Sequence, residues 1–263
     1  MLVETDLILS QQINTELGKP EEIVSKKLIE FADQFLNMSL GNHIIRCPFW
    51  MNWDYLYKGT DLYRFVPGGG KMSPQEIEQQ AILKAREQSF RLKEASLDEL
   101  HCFILENGIG VDCSGLVYQG LKCAYQALGG SDFENKVIGV DGQTGITKIR
   151  VKALGSDINS FEINRLMEIK PGDFIVVGES HSILIIQRLA NYIFCLHASN
   201  EIKDSGVNFF PIKITDYKRG IFRQLWQEYS DDGKLYNEGR LLEVNCGGIR
   251  RLRIIEEAYN KFG

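Results

Sequence analysis

The spacing of apolar positions changes character along the chain. Between residues 21 and 38, Ile23, Val24, Leu28, Phe31, Phe35 and Leu36 recur at helical intervals, and Pro20 suits a first turn, so a helix is expected from about Glu21. Ser73-Pro74-Gln75-Glu76 has the form of a capping box with proline at the first helical position. It predicts a helix running to about Phe90, with a second over 96–105. Leu116, Val117, Leu121, Ala124 and Leu128 give one apolar face to a further helix, stopped by Gly129-Gly130. From residue 149 the texture turns to short apolar, β-branched runs divided by turn residues. These predict strands over 149–153, 174–177, 182–187, 192–196, 207–211 and 221–226, and a closing helix over 255–262. Helices first and strands afterwards predict an α+β fold, with helices packed on an antiparallel sheet.

Composition narrows the classes of partner. A chain of 263 residues can bury a large core, and 44% hydrophobic with 25% charged residues is the balance of an ordinary globular protein. A formal net charge of -5 without a long basic block argues against a nucleic-acid partner. Arg250, Arg251 and Arg253 read as a solvated face. The longest apolar runs are too short to cross a bilayer, so no membrane partner is expected. Met1-Leu2-Val3-Glu4-Thr5-Asp6 has neither the basic start nor the apolar run of a signal peptide. The expectation is a cytoplasmic protein, or one exported by a non-classical route. The six cysteines, at 47, 102, 113, 123, 195 and 246, contain no C-x-x-C pair and read, with one exception, as small buried hydrophobes.

The exception is Cys113. Asp112 is a good N-cap, which places Cys113 at the first helical residue, where unpaired N–H groups and the helix dipole favour a thiolate. Gly115 would let another segment approach the thiol closely. Packing is the commoner fate of a cysteine, but a cap and a helix start favour a nucleophile.

Of the four histidines, His181 opens one apolar run and His197 ends the next. A tight turn over 188–191 would join the two runs as an antiparallel hairpin. His181 and His197 lie equally far from Leu189, so a turn centred there makes them direct cross-strand neighbours, Cβ atoms about 5 Å apart on one face. One imidazole could then take the thiol proton while the second fixes its tautomer. The backbone N–H of Cys113 could bind the developing oxyanion. His43 reads as a loop or turn histidine and His101 as a helix residue, both structural.

Asp112-Cys113-Ser114-Gly115-Leu116-Val117 resembles the nucleophile motif of the NlpC-type peptidoglycan endopeptidases, a papain-like cysteine peptidase family. Pro171-Gly172-Asp173-Phe174-Ile175-Val176 with His181-Ser182-Ile183 resembles its Gly-Asp strand and base histidine, and Leu196-His197-Ala198-Ser199 the segment of its third polar residue. The resemblance covers about residues 111–199. It implies a papain-like fold and hydrolysis of amide bonds in bacterial wall stem peptides, often beside D-glutamate. Cys113 would be the nucleophile, His181 the base and His197 the orienting group, with Asp112 and Ser114 shaping the site or recognising a substrate amine. No metal and no cofactor are implied.

The family's Pro-Tyr motif shortly before the cysteine is missing; its nearest counterpart, Pro48-Phe49-Trp50, lies far upstream, and Tyr55 or Tyr57 would have to supply the hydroxyl near the substrate. The implied organisation is an N-terminal helical extension over 1–45 and a catalytic domain over 46–263. That domain would carry a mostly helical insertion at about 58–105, forming a lid or a surface for a protein partner. Three other readings stay open: zinc held by Cys113, His181 and His197; a binding module on the same fold; and a thiol amidase, deamidase or acyl-transfer enzyme acting on another substrate.

Overall fold

In a computed structural model, which describes residues 19–51, 70–199, 206–228 and 247–262, the first helix is α1 (Pro20–Leu36). It starts on its proline and turns Val24, Leu28, Phe31 and Phe35 inward. A small hairpin follows, β1 (Met38–Leu40) and β2 (His43–Ile45), turned at Gly41 with φ +64. His43 therefore opens a strand, and not a loop; its Nε2 lies 2.7 Å from the Ala95 carbonyl. Helices α2 (Pro74–Glu87) and α3 (Leu97–Glu106) each start with a complete capping box, Ser73 with Glu76 and Ser96 with Glu99.

Helix α4 (Cys113–Ala127) buries Leu116, Val117, Leu121 and Ala124. The sequence expectation of a strand over 149–153 is corrected: Val151–Leu154 forms one helical turn, α5. Val151 and Leu154, three residues apart, are both buried by that turn, so a short apolar run needed no strand to find cover. Helix α6 (Arg253–Phe262) closes the chain with Ile255, Ala258 and Tyr259 inward. Among the described residues no helix is long and apolar enough to cross a membrane.

Among the described residues seven strands form one sheet: β3 (Ser160–Ile163), β4 (Phe174–Val177), β5 (His181–Leu189), β6 (Tyr192–Ser199), β7 (Gly206–Lys213), β8 (Leu225–Trp226) and β9 (Gly247–Leu252). Their order is β3-β9-β4-β5-β6-β7-β8, with every neighbouring pair antiparallel. The protein is thus α+β. The run expected over 221–226 is strand only at Leu225–Trp226; Ile221–Arg223 is a 3-10 turn, its carbonyl neighbours tied to the Gln224 amide, which donates to Asp216, Arg219 and Gly220.

Both faces of the sheet are covered. Phe174, Val176, Leu184, Ile186, Leu196 and Ala198 join the helices in one core, while Ile175, Ile183, Ile185, Ile193, Cys195 and Phe210 join Ile169, Ile221 and Trp226 in the other. Cover on both sides explains why these strands read as unbroken apolar runs rather than alternating ones.

The β5–β6 hairpin corrects the register read from sequence. Leu189 pairs with Tyr192, so the loop is the two residues Ala190 and Asn191, held by the Tyr217 hydroxyl. A bulge between Ile185 and Gln187 shifts the pairing again, and Leu184 faces Leu196. Continued one pair, that register sets His197 opposite Ile183. His181 is then a diagonal neighbour two residues along, on the same face as His197 rather than directly across from it.

Candidate functional site

The start of α4 is built by short-range chemistry. Asp112 Oδ1 accepts the Gly115 N–H at 2.6 Å, the cap expected from sequence. The backbone N–H of Asp112 donates to the Gly70 carbonyl at 2.8 Å. A Cβ on Gly115 would lie 2.1 Å from Gly70 O, so only glycine lets that crossing segment pass beside the cysteine. Pro48-Phe49-Trp50, distant in sequence, arrives at the same place: Val111 N–H donates to Pro48 O and Trp50 N–H to Val111 O, each at 3.1 Å.

The crossing segment also brings Lys71. Its ammonium donates to Asp112 Oδ1 at 2.7 Å and to Ser114 Oγ at 2.5 Å, and Ser114 in turn donates to Asp112 at 3.0 Å. The two polar side chains that the family resemblance offers to a substrate amine are therefore already engaged by an internal ammonium. Tyr55, the remaining candidate for substrate contact, lies outside the described residues, as do Tyr57 and Cys246.

Cys113 is the first residue of α4 and only 7% exposed. Its thiol donates to the Ser180 carbonyl at 3.6 Å. The Ser182 backbone N–H and hydroxyl lie near enough to the sulfur to favour its charged form, and that buried hydroxyl makes no hydrogen bond among the described residues. Ser180 and Ser182 flank His181 in the chain, so the sulfur lies against the piece of β5 that carries the imidazole. His181 Nε2 is 2.8 Å from His197 Nδ1, the rings edge to face at 78°. His197 is 2% exposed, and its Nε2 contacts Glu228 Oε1, itself on a buried side chain.

Three residues of this arrangement were not found from sequence. Lys71 follows a glycine run and Ser182 sits inside an apolar one; neither spacing signals a site. Glu228 lies two residues past β8 and carries no motif at all. The other cysteines divide: Cys47 and Cys195 are buried as expected, whereas Cys123 is half-buried and Cys102 is exposed on α3.

Burial, and after it the Asp112 carboxylate, push the Cys113 thiol up to about 11, while the Lys71 ammonium and the two Ser182 donors pull it down. The expected resting thiolate is corrected accordingly: a helix start does not offset the loss of water around this sulfur. At neutral pH the thiol keeps its proton and needs a base to remove it. Alkylation of Cys113 by iodoacetamide, followed by peptide mass mapping to separate it from Cys102 and Cys123, should therefore be slow at pH 7 and accelerate as pH rises towards 11. Ser182→Ala removes one donor and should move the profile to higher pH. Fast alkylation already at pH 5, flat above it, would show a preformed thiolate–imidazolium pair instead.

Comparison with models of known protein families, with curated proteins and with solved structures finds no match.

Proposed function

We propose that the protein is a papain-like cysteine hydrolase that cleaves amide bonds, with Cys113 as nucleophile, His181 as base and His197 as orienting group. What supports this reading is the 2.8 Å contact between the two imidazoles, together with the thiol's contacts with Ser180 and Ser182, the chain neighbours of His181. His181 takes the thiol proton as sulfur attacks the carbonyl carbon, and the carbonyl π pair moves to oxygen. Backbone N–H groups at the start of α4 receive that oxyanion. On collapse the C–N bond breaks and the imidazolium returns the proton to the departing amine. Water, deprotonated by His181, then attacks the thioester; the C–S bond breaks and the thiol is restored.

The order of motifs, Cys113 then His181 then His197, supports stem peptides of the bacterial cell wall as substrate. Incubation with muropeptides of known composition, followed by mass spectrometry, tests this. We expect one amide bond cut, with a product gaining the mass of water. Intact muropeptides beside Cys113-dependent cleavage of other amides would reject the wall substrate and keep the chemistry. One observation favours that second reading: Lys71 fills the position at Asp112 and Ser114 where a substrate amine would bind, so a substrate without a free amine suits the site better.

A further inference from the structure

The contact between His197 and Glu228 decides which nitrogens carry protons. Glu228 follows β8, which is the sheet's edge, and the two residues before it are tied to β7. Trp226 pairs with Ile212, and Gln227 N–H donates to Pro211 O at 2.9 Å. Aromatic rings close the pocket: Phe210 packs edge to face on His197 with centroids 5.2 Å apart, and Trp226 stacks on Phe210 at 5.7 Å. Glu228 and His197 are 5% and 2% exposed, and Glu228 Oε1 and His197 Nε2 have no partner among the described residues except one another. A buried carboxylate left without a donor would be costly, so this pairing is what makes the acid tolerable there. The Cys195 thiol on the same strand is pushed up by burial and then by the Glu228 carboxylate, and it stays protonated.

A carboxylate can only accept. His197 must therefore place its proton on Nε2, towards Glu228, which leaves a lone pair on Nδ1. The 2.8 Å contact then requires His181 to donate through Nε2–H, which leaves the lone pair of His181 on Nδ1. A general base needs that lone pair. We infer that Glu228 is a positioning residue which, through His197, sets the tautomers of both imidazoles and prepares His181 as a base. This rests on the proposed Cys113–His181 hydrolase chemistry for its consequence, but the tautomers themselves do not. A protonated Glu228 would donate to His197, reverse both tautomers and place a proton on the nitrogen that must accept one.

Nitrogen-15 NMR of histidine-labelled protein reads the tautomers directly. Four histidines keep the spectrum sparse, and His43→Gln and His101→Gln assign the two outside the site. In the unmodified protein at pH 7 both His181 and His197 should show a protonated Nε2 and a bare Nδ1. Glu228→Leu should scramble this pattern and lower kcat by about 100-fold with little change in KM, since the base is then in the right form only part of the time. Glu228→Gln, whose amide oxygen can still accept from Nε2, should restore the pattern and most of the rate. Protonated Nδ1 on His197 in the unmodified protein overturns the inference without any variant, and so does an unchanged pattern in Glu228→Leu. If the tautomers shift as described but neither protein hydrolyses any amide, the inference holds and the hydrolase reading fails.

Discussion

Cys113→Ala should hydrolyse no amide above background, a loss of at least about 10,000-fold if the residue forms the covalent intermediate. Without sulfur there is no acyl-enzyme, and the two imidazoles have no proton to take. The fold should survive. Alanine keeps helix propensity at the first residue of α4, and the neighbours that lose the sulfur are one carbonyl and one serine at the margin of the site. The loss of stability should stay near about 1 kcal/mol, the scale of one small deleted group. Cys113→Ser is the sharper companion, because a hydroxyl of similar size is a far weaker acid than a thiol and gains little from one histidine at neutral pH. Product mass spectrometry together with a thermal melt separates chemistry from folding. Full turnover in a folded Cys113→Ala protein would end the nucleophile assignment, whatever the substrate.

The parts of this arrangement that were legible in the sequence share one property: each follows from local spacing. The cap at Asp112 and the proline-led capping box at Ser73 involve residues within one helical turn, and both formed. Strands β4, β5, β6 and β7 announced themselves because burial on both faces leaves runs such as 182–187 almost wholly apolar. What was not legible depends on residues far apart. Strand β9 contains Arg250 and Arg251, which break the apolar pattern, so it was taken for a solvated stretch; Arg251 is buried with Asp173, 78 positions away, as its two-point partner. The bulge near Ile186 has no sequence mark, so the hairpin was expected to set the histidines face to face. Their rings meet on a diagonal instead, since side chains of that length span two residues along a strand. Lys71 and Glu228 belong to the same class: an ammonium and a carboxylate whose partners are supplied only by the fold.

The largest structural effect should come from the same hidden charge. Arg251, 3% exposed, forms a two-point pair with Asp173 through Nε to Oδ1 at 2.6 Å and a terminal nitrogen to Oδ2 at 2.9 Å. The same terminal nitrogen also donates to the Glu168 carbonyl and the other one to Glu256, each at 2.7 Å. Asp173 is fully buried, so Arg251→Met leaves a carboxylate with the Lys170 N–H as its hydrogen-bond donor and the Lys170 ammonium as its nearby positive charge among the described residues. Breaking such a pair costs about 3–5 kcal/mol, which for a chain of this size lowers the melting temperature by roughly 10 °C. The effect should reach the candidate site, because β9 pairs with β4, and β4 pairs through Val177 with His181 itself. Removing both charges tests the cause. Asp173→Leu with Arg251→Met leaves no orphaned carboxylate at Asp173, and should be more stable than Arg251→Met alone despite carrying two changes. Chemical or thermal unfolding of the three proteins decides the matter: a double variant less stable than Arg251→Met would mean that the arginine acts through Glu256 and the Glu168 carbonyl, and not by neutralising Asp173.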